Sequence, residues 1–128
     1  MRKYNRQLKT IIVTGGSSGI GLELAKLLAG EAAEIVLLAR NQVKLSQAKT
    51  ALEEVFTISA DLSTVEGIFQ AIKQVEALHL NIDSLVNNVG YGVSGLADSL
   101  DLDTVEKATV ANALAPTLLT QAFLPAIV

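Results

Sequence analysis

Between an apolar run and a helical pattern, the segment Thr14-Gly15-Gly16-Ser17-Ser18-Gly19-Ile20-Gly21 sets four glycines within eight residues. Backbone N–H groups at a helix N-terminus, unobstructed by Cβ atoms, make a preformed site for a phosphate or pyrophosphate. The context gives this spacing its meaning. Leu8 to Val13 reads as a buried parallel strand, and Ile20, Leu24, Leu27 and Leu28 recur at helical spacing just after the glycines. The glycines therefore fall in a strand-to-helix turn, where a dinucleotide pyrophosphate is held. Glycines that serve only a tight turn and close helix packing are the competing reading.

The elements that must position this loop alternate along the chain. Strand-like runs at Leu8–Thr14, Glu34–Ala39, Glu54–Ser59 and Ile82–Asn87 are interleaved with helical stretches at Ile20–Ala29, Gln42–Leu52, Val65–Leu78 and Thr104–Leu124. That alternation predicts an α/β fold, a Rossmann-type three-layer sandwich on a parallel sheet of four strands in the order 3-2-1-4. The binding crevice is then expected at the carboxyl end of the first strand. Ser63 with Glu66, and Asp103 with Glu106, have the spacing of a helix cap followed by a carboxylate that reaches back.

Composition narrows the function classes. The 128 residues suit a single domain, half of them are hydrophobic, and there is no cysteine and only one histidine, His79. No disulfide, metal centre or Ser-His chemistry is expected, and a cytoplasmic location fits. The net charge is −3, and Arg2, Lys3, Arg6 and Lys9 gather at the N-terminus. Residues 1–7 read as a basic flexible arm. No basic face with interleaved aromatics follows it, so nucleic acid is not an expected partner. No signal peptide is evident. Val110 to Val128 is long and apolar enough for a bilayer span, yet it carries Asn112, Thr117, Thr120, Gln121 and two prolines without a basic flank. A helix packed on protein, with no membrane span, is the expectation.

Taken in order, the residues resemble the short-chain dehydrogenase/reductase family, whose loop has the form Thr-Gly-x-x-x-Gly-x-Gly, matched here by Thr14, Gly15, Gly19 and Gly21. The resemblance implies that this loop, with Ser17, Ser18 and Ile20, binds the pyrophosphate and adjoining ribose of a nicotinamide dinucleotide. It also implies that Asp61 accepts a hydrogen bond from the adenine amino group while Leu62 packs near the base. Plain turn chemistry is the alternative for Asp61. Asn87-Asn88-Val89-Gly90 stands where the family has Asn-Asn-Ala-Gly. The asparagines are read as tying the sheet to the loop and Gly90 as letting the backbone approach the ribose, with Tyr91 bordering the cofactor. Val89 departs from the pattern by two methyl groups, which either are absorbed by packing or crowd the cofactor.

Arg40 carries the cofactor choice. A site for NAD usually has an Asp or Glu at the end of the second strand to hold both ribose hydroxyls, whereas Ala39-Arg40 offers a small residue and a guanidinium suited to a 2′-phosphate. NADP(H) is therefore favoured over NAD(H); an Arg40 that caps the strand and points to water is the competing reading.

Asn112 matches the Asn of the family's Asn-Ser-Tyr-Lys tetrad. Pro116, four residues on, has no N–H to give its carbonyl, so a kink is expected there. The remaining tetrad members cannot be assigned. Tyr4 and Tyr91 are followed four residues later by Leu8 and Gly95, so no Tyr-x-x-x-Lys pair exists in these residues. Residues 1–128 thus read as one NAD(P)-binding domain cut short, with Asn112 a vestigial catalytic residue. Leu38-Ala39-Arg40-Asn41 and Lys44-Leu45 look most like reductases of long-chain keto substrates, 3-ketodihydrosphingosine reductases among them.

Three readings follow. The chain is an NADP(H)-binding half without activity alone, an enzyme completed by another chain, or a scaffold that has lost catalysis. Self-association is expected through the open edge at Ile82–Asn87 or through the last helix, where Ala108, Leu114, Leu118, Leu119 and Phe123 cannot all face one sheet.

Overall fold

The structure is a computed structural model describing residues 8–128, so the expected basic arm and Tyr4 lie outside the described residues. Four strands, β1 (Leu8–Thr14), β2 (Ala32–Ala39), β3 (Val55–Ser59) and β4 (Ile82–Val86), form one sheet in the order β3-β2-β1-β4. Every pairing is parallel, as the βαβ alternation requires.

Strand side chains alternate between two cores, one on each face of the sheet. Ile12, Val36, Leu38 and Ile58 point to the side covered by α3 (Val65–Glu76) and the C-terminal helix. Ile11, Val13, Ile35 and Leu37 point to the side covered by α1 (Gly19–Leu28) and α2 (Gln42–Ala51). With both faces covered, β1 and β2 are apolar nearly throughout, which is why they read as unbroken runs.

The helical periodicity of α1 is only partly met: Leu28 packs against the core and Leu24 is half-buried, but Ile20 and Leu27 are not. Ile20 and Leu27 are 81% and 75% exposed, and the side turned to the sheet is Gly21, Leu22, Ala25 and Leu28. Small residues win there because α1 comes so close that a Cβ on Gly21 would collide with the Gly15 carbonyl oxygen.

Both expected caps move. Thr64, not Ser63, caps α3 by accepting the Gly67 N–H, and Asp101, not Asp103, caps α4 (Leu102–Thr109) by accepting the Thr104 N–H. Ser63 is drawn away because its hydroxyl donates to Asp61, and Asp103 lies within the first turn, where it pairs with Lys107.

From Leu102 to Ile127 the backbone is helical without interruption, so the last helix starts before Thr104. Where Pro116 predicts a kink, the helix forms a π-helical turn, Val110–Leu114, between α4 and α5 (Ala115–Ile127). The Ala115 N–H donates to the Val110 carbonyl, and this one-residue widening accommodates a proline that cannot serve Asn112. This helix is long and apolar enough to cross a membrane. One stripe of it, Ala111, Ala115, Leu119 and Phe123, is buried against the sheet. Leu119 and Phe123 are therefore core residues rather than exposed surface, and Leu114 and Leu118 pack partly against the same core.

Candidate cofactor-binding site

The carboxyl ends of all four strands open into one crevice of about 400 Å³. Gly15, Ser17 and Ser18 line it after β1, and Ala39, Arg40, Asn41 and Lys44 after β2. Ala60, Asp61, Leu62 and Ser63 follow β3, and Asn88, Val89, Gly90 and Tyr91 follow β4, with Ala111 of the π-turn closing the floor. Of the residues singled out by the sequence, Thr14, Gly19, Ile20, Gly21, Asn87 and Asn112 do not line it.

Thr14 acts from behind. Its buried hydroxyl donates to the Val86 carbonyl (3.3 Å) and accepts the N–H groups of Asn88 (2.9 Å) and Val89 (3.1 Å), which locks the end of β1 to the segment after β4. The two asparagines divide their work. Asn88 Nδ2 donates to the Gly15 carbonyl (3.4 Å) and ties the sheet to the glycine loop, whereas Asn87 turns away to Thr120 of α5 (3.1 Å). Asn87 thus anchors the helix and not the loop. Val89 is half-buried, packed partly against the α3/α5 core, and also lines the crevice beside Gly15.

The glycines differ in what they permit. Gly15 and Gly19 have φ of +65° and +56°, where a side chain is strained. A Cβ on Gly15 would stand 2.9 Å from Asn88 Nδ2, whereas Gly19 and Gly90 have open space beside them. Packing and ligand access are therefore met by different glycines in one loop. At the start of α1 the N-cap Ser18 makes no side-chain capping bond and the first turn has no acid, which leaves donors and the positive end of the helix dipole free for an anion. These features fit a dinucleotide pyrophosphate.

Charge is placed with the same bias. Among the described residues the ion pairs are Lys26–Glu23 and Lys107–Asp103, so neither Arg40 nor Lys44 is in ion-pair contact with a carboxylate. Lys44 was not singled out as a site residue by the sequence; its place in the first turn of α2, four residues after Arg40, is the signal that finds it. Asn41 caps that helix by accepting the Lys44 N–H at 3.0 Å.

Asp61 sits opposite, its Oδ1 accepting both the Ser63 hydroxyl (2.6 Å) and the Ser63 N–H (3.0 Å). The Ser63 hydroxyl is the main cause that holds the Asp61 carboxyl below its usual range. Burial opposes it, and the Ser63 N–H, Arg40 and Lys107 assist. Turn chemistry and a place in the crevice are thus both true of Asp61. Gly67, unremarked in the sequence, is needed here, since a Cβ on it would collide with the Asp61 carbonyl oxygen.

Asn112 lies in the π-turn and bonds Tyr91 through both ends of its amide. Tyr91 thereby holds its place on the crevice wall.

Comparison with known proteins matches this arrangement. The family model of short chain dehydrogenases aligns with residues 9–128. The chain belongs to that family. It is 40% identical over 126 residues to the very-long-chain 3-oxoacyl-CoA reductase of Bos taurus, covering 91% of this chain and 40% of that protein. Against the 3-ketodihydrosphingosine reductase of Bos taurus the identity is 37% over 113 residues, covering 81% and 34%. Among solved structures, a metagenomic short-chain oxidoreductase in complex with NADP superposes with a TM-score of 0.84 at 33% identity, covering 95% of this chain and 58% of that one. The chain thus spans about two fifths of the length of the curated short-chain dehydrogenase relatives it matches.

Proposed function

We propose that this chain is the NADP(H)-binding portion of a short-chain dehydrogenase whose lineage carries out carbonyl–alcohol oxidoreduction. The observation that carries the cofactor assignment is the pair Arg40 and Lys44 at the end of β2, two unpaired cations on the crevice with no carboxylate where a ribose diol would be held. In this reading Gly15, Ser17, Ser18 and the start of α1 hold the pyrophosphate. Gly19, Ile20 and Gly21 shape that turn. Arg40 and Lys44 take the 2′-phosphate, Asp61 and Leu62 the adenine, and Asn88, Val89 and Gly90 the ribose on the nicotinamide side. The dinucleotide supplies hydride chemistry; these residues bind and orient it. Asn112 positions Tyr91. A long-chain keto substrate is supported by the likeness to the two bovine reductases.

The 128 residues contain no Tyr-x-x-x-Lys pair to lend a proton to a carbonyl, so this polypeptide by itself binds without turning over. Titration with NADPH and NADH, followed by dihydronicotinamide fluorescence, tests the assignment. Tighter binding of NADPH supports it, and equal affinity or no binding of either refutes it.

A further inference from the structure

Ser63 is one of three buried polar side chains in the described chain, 8% exposed, and sequence spacing makes it a helix cap. The cap is Thr64 instead, and both polar groups of Ser63 converge on a single oxygen, Oδ1 of Asp61. We infer that Ser63 is a positioning residue for base recognition: it saturates one carboxylate oxygen of Asp61, so the crevice presents the other as a fixed, acceptor-only group that selects a purine bearing an exocyclic amine.

An ionised carboxylate has no donor, and a ligand group placed against it must supply one. With Oδ1 occupied at 2.6 and 3.0 Å, Oδ2 is the atom left for a ligand. The neighbouring backbone is equally constrained, because the Asp61 carbonyl accepts the Thr64 hydroxyl at 3.2 Å and Gly67 packs against it without a Cβ. Carboxylate and backbone are therefore held from two sides, which fixes the direction of the free oxygen. An adenine amino group donates to it. The carbonyl oxygen of hypoxanthine at the same position faces an acceptor and is repelled. Arg40 and Lys107 face Asp61 electrostatically, but neither forms an ion pair with it, so no cation occupies the free oxygen.

This inference rests on the proposed dinucleotide site, and its test separates the two. The probes are NADPH and its hypoxanthine analogue, nicotinamide hypoxanthine dinucleotide phosphate, titrated against the chain and its Ser63→Ala and Ser63→Thr variants. The unmodified chain is expected to prefer NADPH by roughly tenfold or more, the scale of one charge-assisted hydrogen bond. Ser63→Ala is expected to cut that preference to within about threefold while keeping the NADPH-to-NADH ratio, which is set at Arg40; Ser63→Thr, which keeps the hydroxyl, restores it. A full base preference retained in Ser63→Ala overturns the role of Ser63. So does an unmodified chain that binds NADPH and its analogue equally, a measurement that needs no variant to fold. Failure of the unmodified chain to bind NADPH at all overturns the site reading itself.

Discussion

Asn112 and Tyr91 grip each other through a complete amide pair: Asn112 Oδ1 accepts the Tyr91 N–H at 2.7 Å, and Asn112 Nδ2 donates to the Tyr91 carbonyl at 2.8 Å. The side chain thus imitates a strand partner for the segment after β4, which has no ladder of its own beyond Val86. The π-turn carries Asn112 at this point of the helix. Asn112→Ala is expected to cost about 1–2 kcal/mol of stability, the scale of one or two partly exposed hydrogen bonds. Amide exchange should accelerate at Tyr91 and its neighbours before it does so in β1; unchanged exchange there would show that the segment is held by other contacts.

Arg40→Ala is expected to shrink the difference between NADPH and NADH binding by about 1–3 kcal/mol, as for loss of a charge-assisted contact. Lys44→Ala should act in the same direction but less, since an ammonium on a flexible stem lacks the planar fork. Isothermal titration of both variants with both nucleotides measures the two gaps, and a gap untouched by either change removes the 2′-phosphate from this corner.

No oxidation of NADPH above buffer is expected when the 128-residue chain is mixed with a panel of ketones. Gly19→Trp serves as a control, because a side chain at φ +56° strains the loop and fills the open space beside it. Turnover that vanishes in this variant would show that the chain has a proton donor outside the Tyr-x-x-x-Lys pattern.

Acid should erode stability partly through Asp61. Its carboxyl is held down chiefly by the Ser63 hydroxyl, so its contribution is complete above the ordinary value of 3.8 and is lost as pH falls below that value through the folded-state one. Urea midpoints of the unmodified chain and Ser63→Ala should therefore differ at pH 7 and converge in strong acid. Divergence on acidification would contradict this sign.

Self-association at micromolar concentration is expected. β4 is an edge strand whose Ser84, Leu85 and Val86 are only half-buried, and the outer face of the long helix exposes Leu102, Val105 and Leu124. Sedimentation velocity decides whether it occurs, and Leu124→Glu should weaken it if the helix is the route. Leu118→Glu is a poorer probe than the sequence suggests, because Leu118 packs partly against the core. A monomer at every accessible concentration would refute both routes.

The sequence by itself determined the sheet, its strand order, the glycine loop and the residues at the strand ends. Runs such as Ile11-Ile12-Val13 and Ile35-Val36-Leu37-Leu38 are apolar on both faces because helices cover both, and crossover rules then leave few orders for four parallel strands. Tertiary structure decided which competing group each side chain serves. Apolar spacing on α1 favours the face of Ile20 and Leu27, but close approach to the Gly15 carbonyl reserves the inner face for Gly21 and Ala25. A Ser-x-x-Glu spacing makes Ser63 a cap, yet Asp61 two residues earlier offers its hydroxyl a charged acceptor, and Thr64 takes the helix end. Proline at 116 foretells a missing hydrogen bond at Asn112 but not whether the helix bends or widens. Partners distant in sequence settle such choices: Tyr91 reaches Asn112 and Asn87 reaches Thr120 only once β4 and the last helix have packed together.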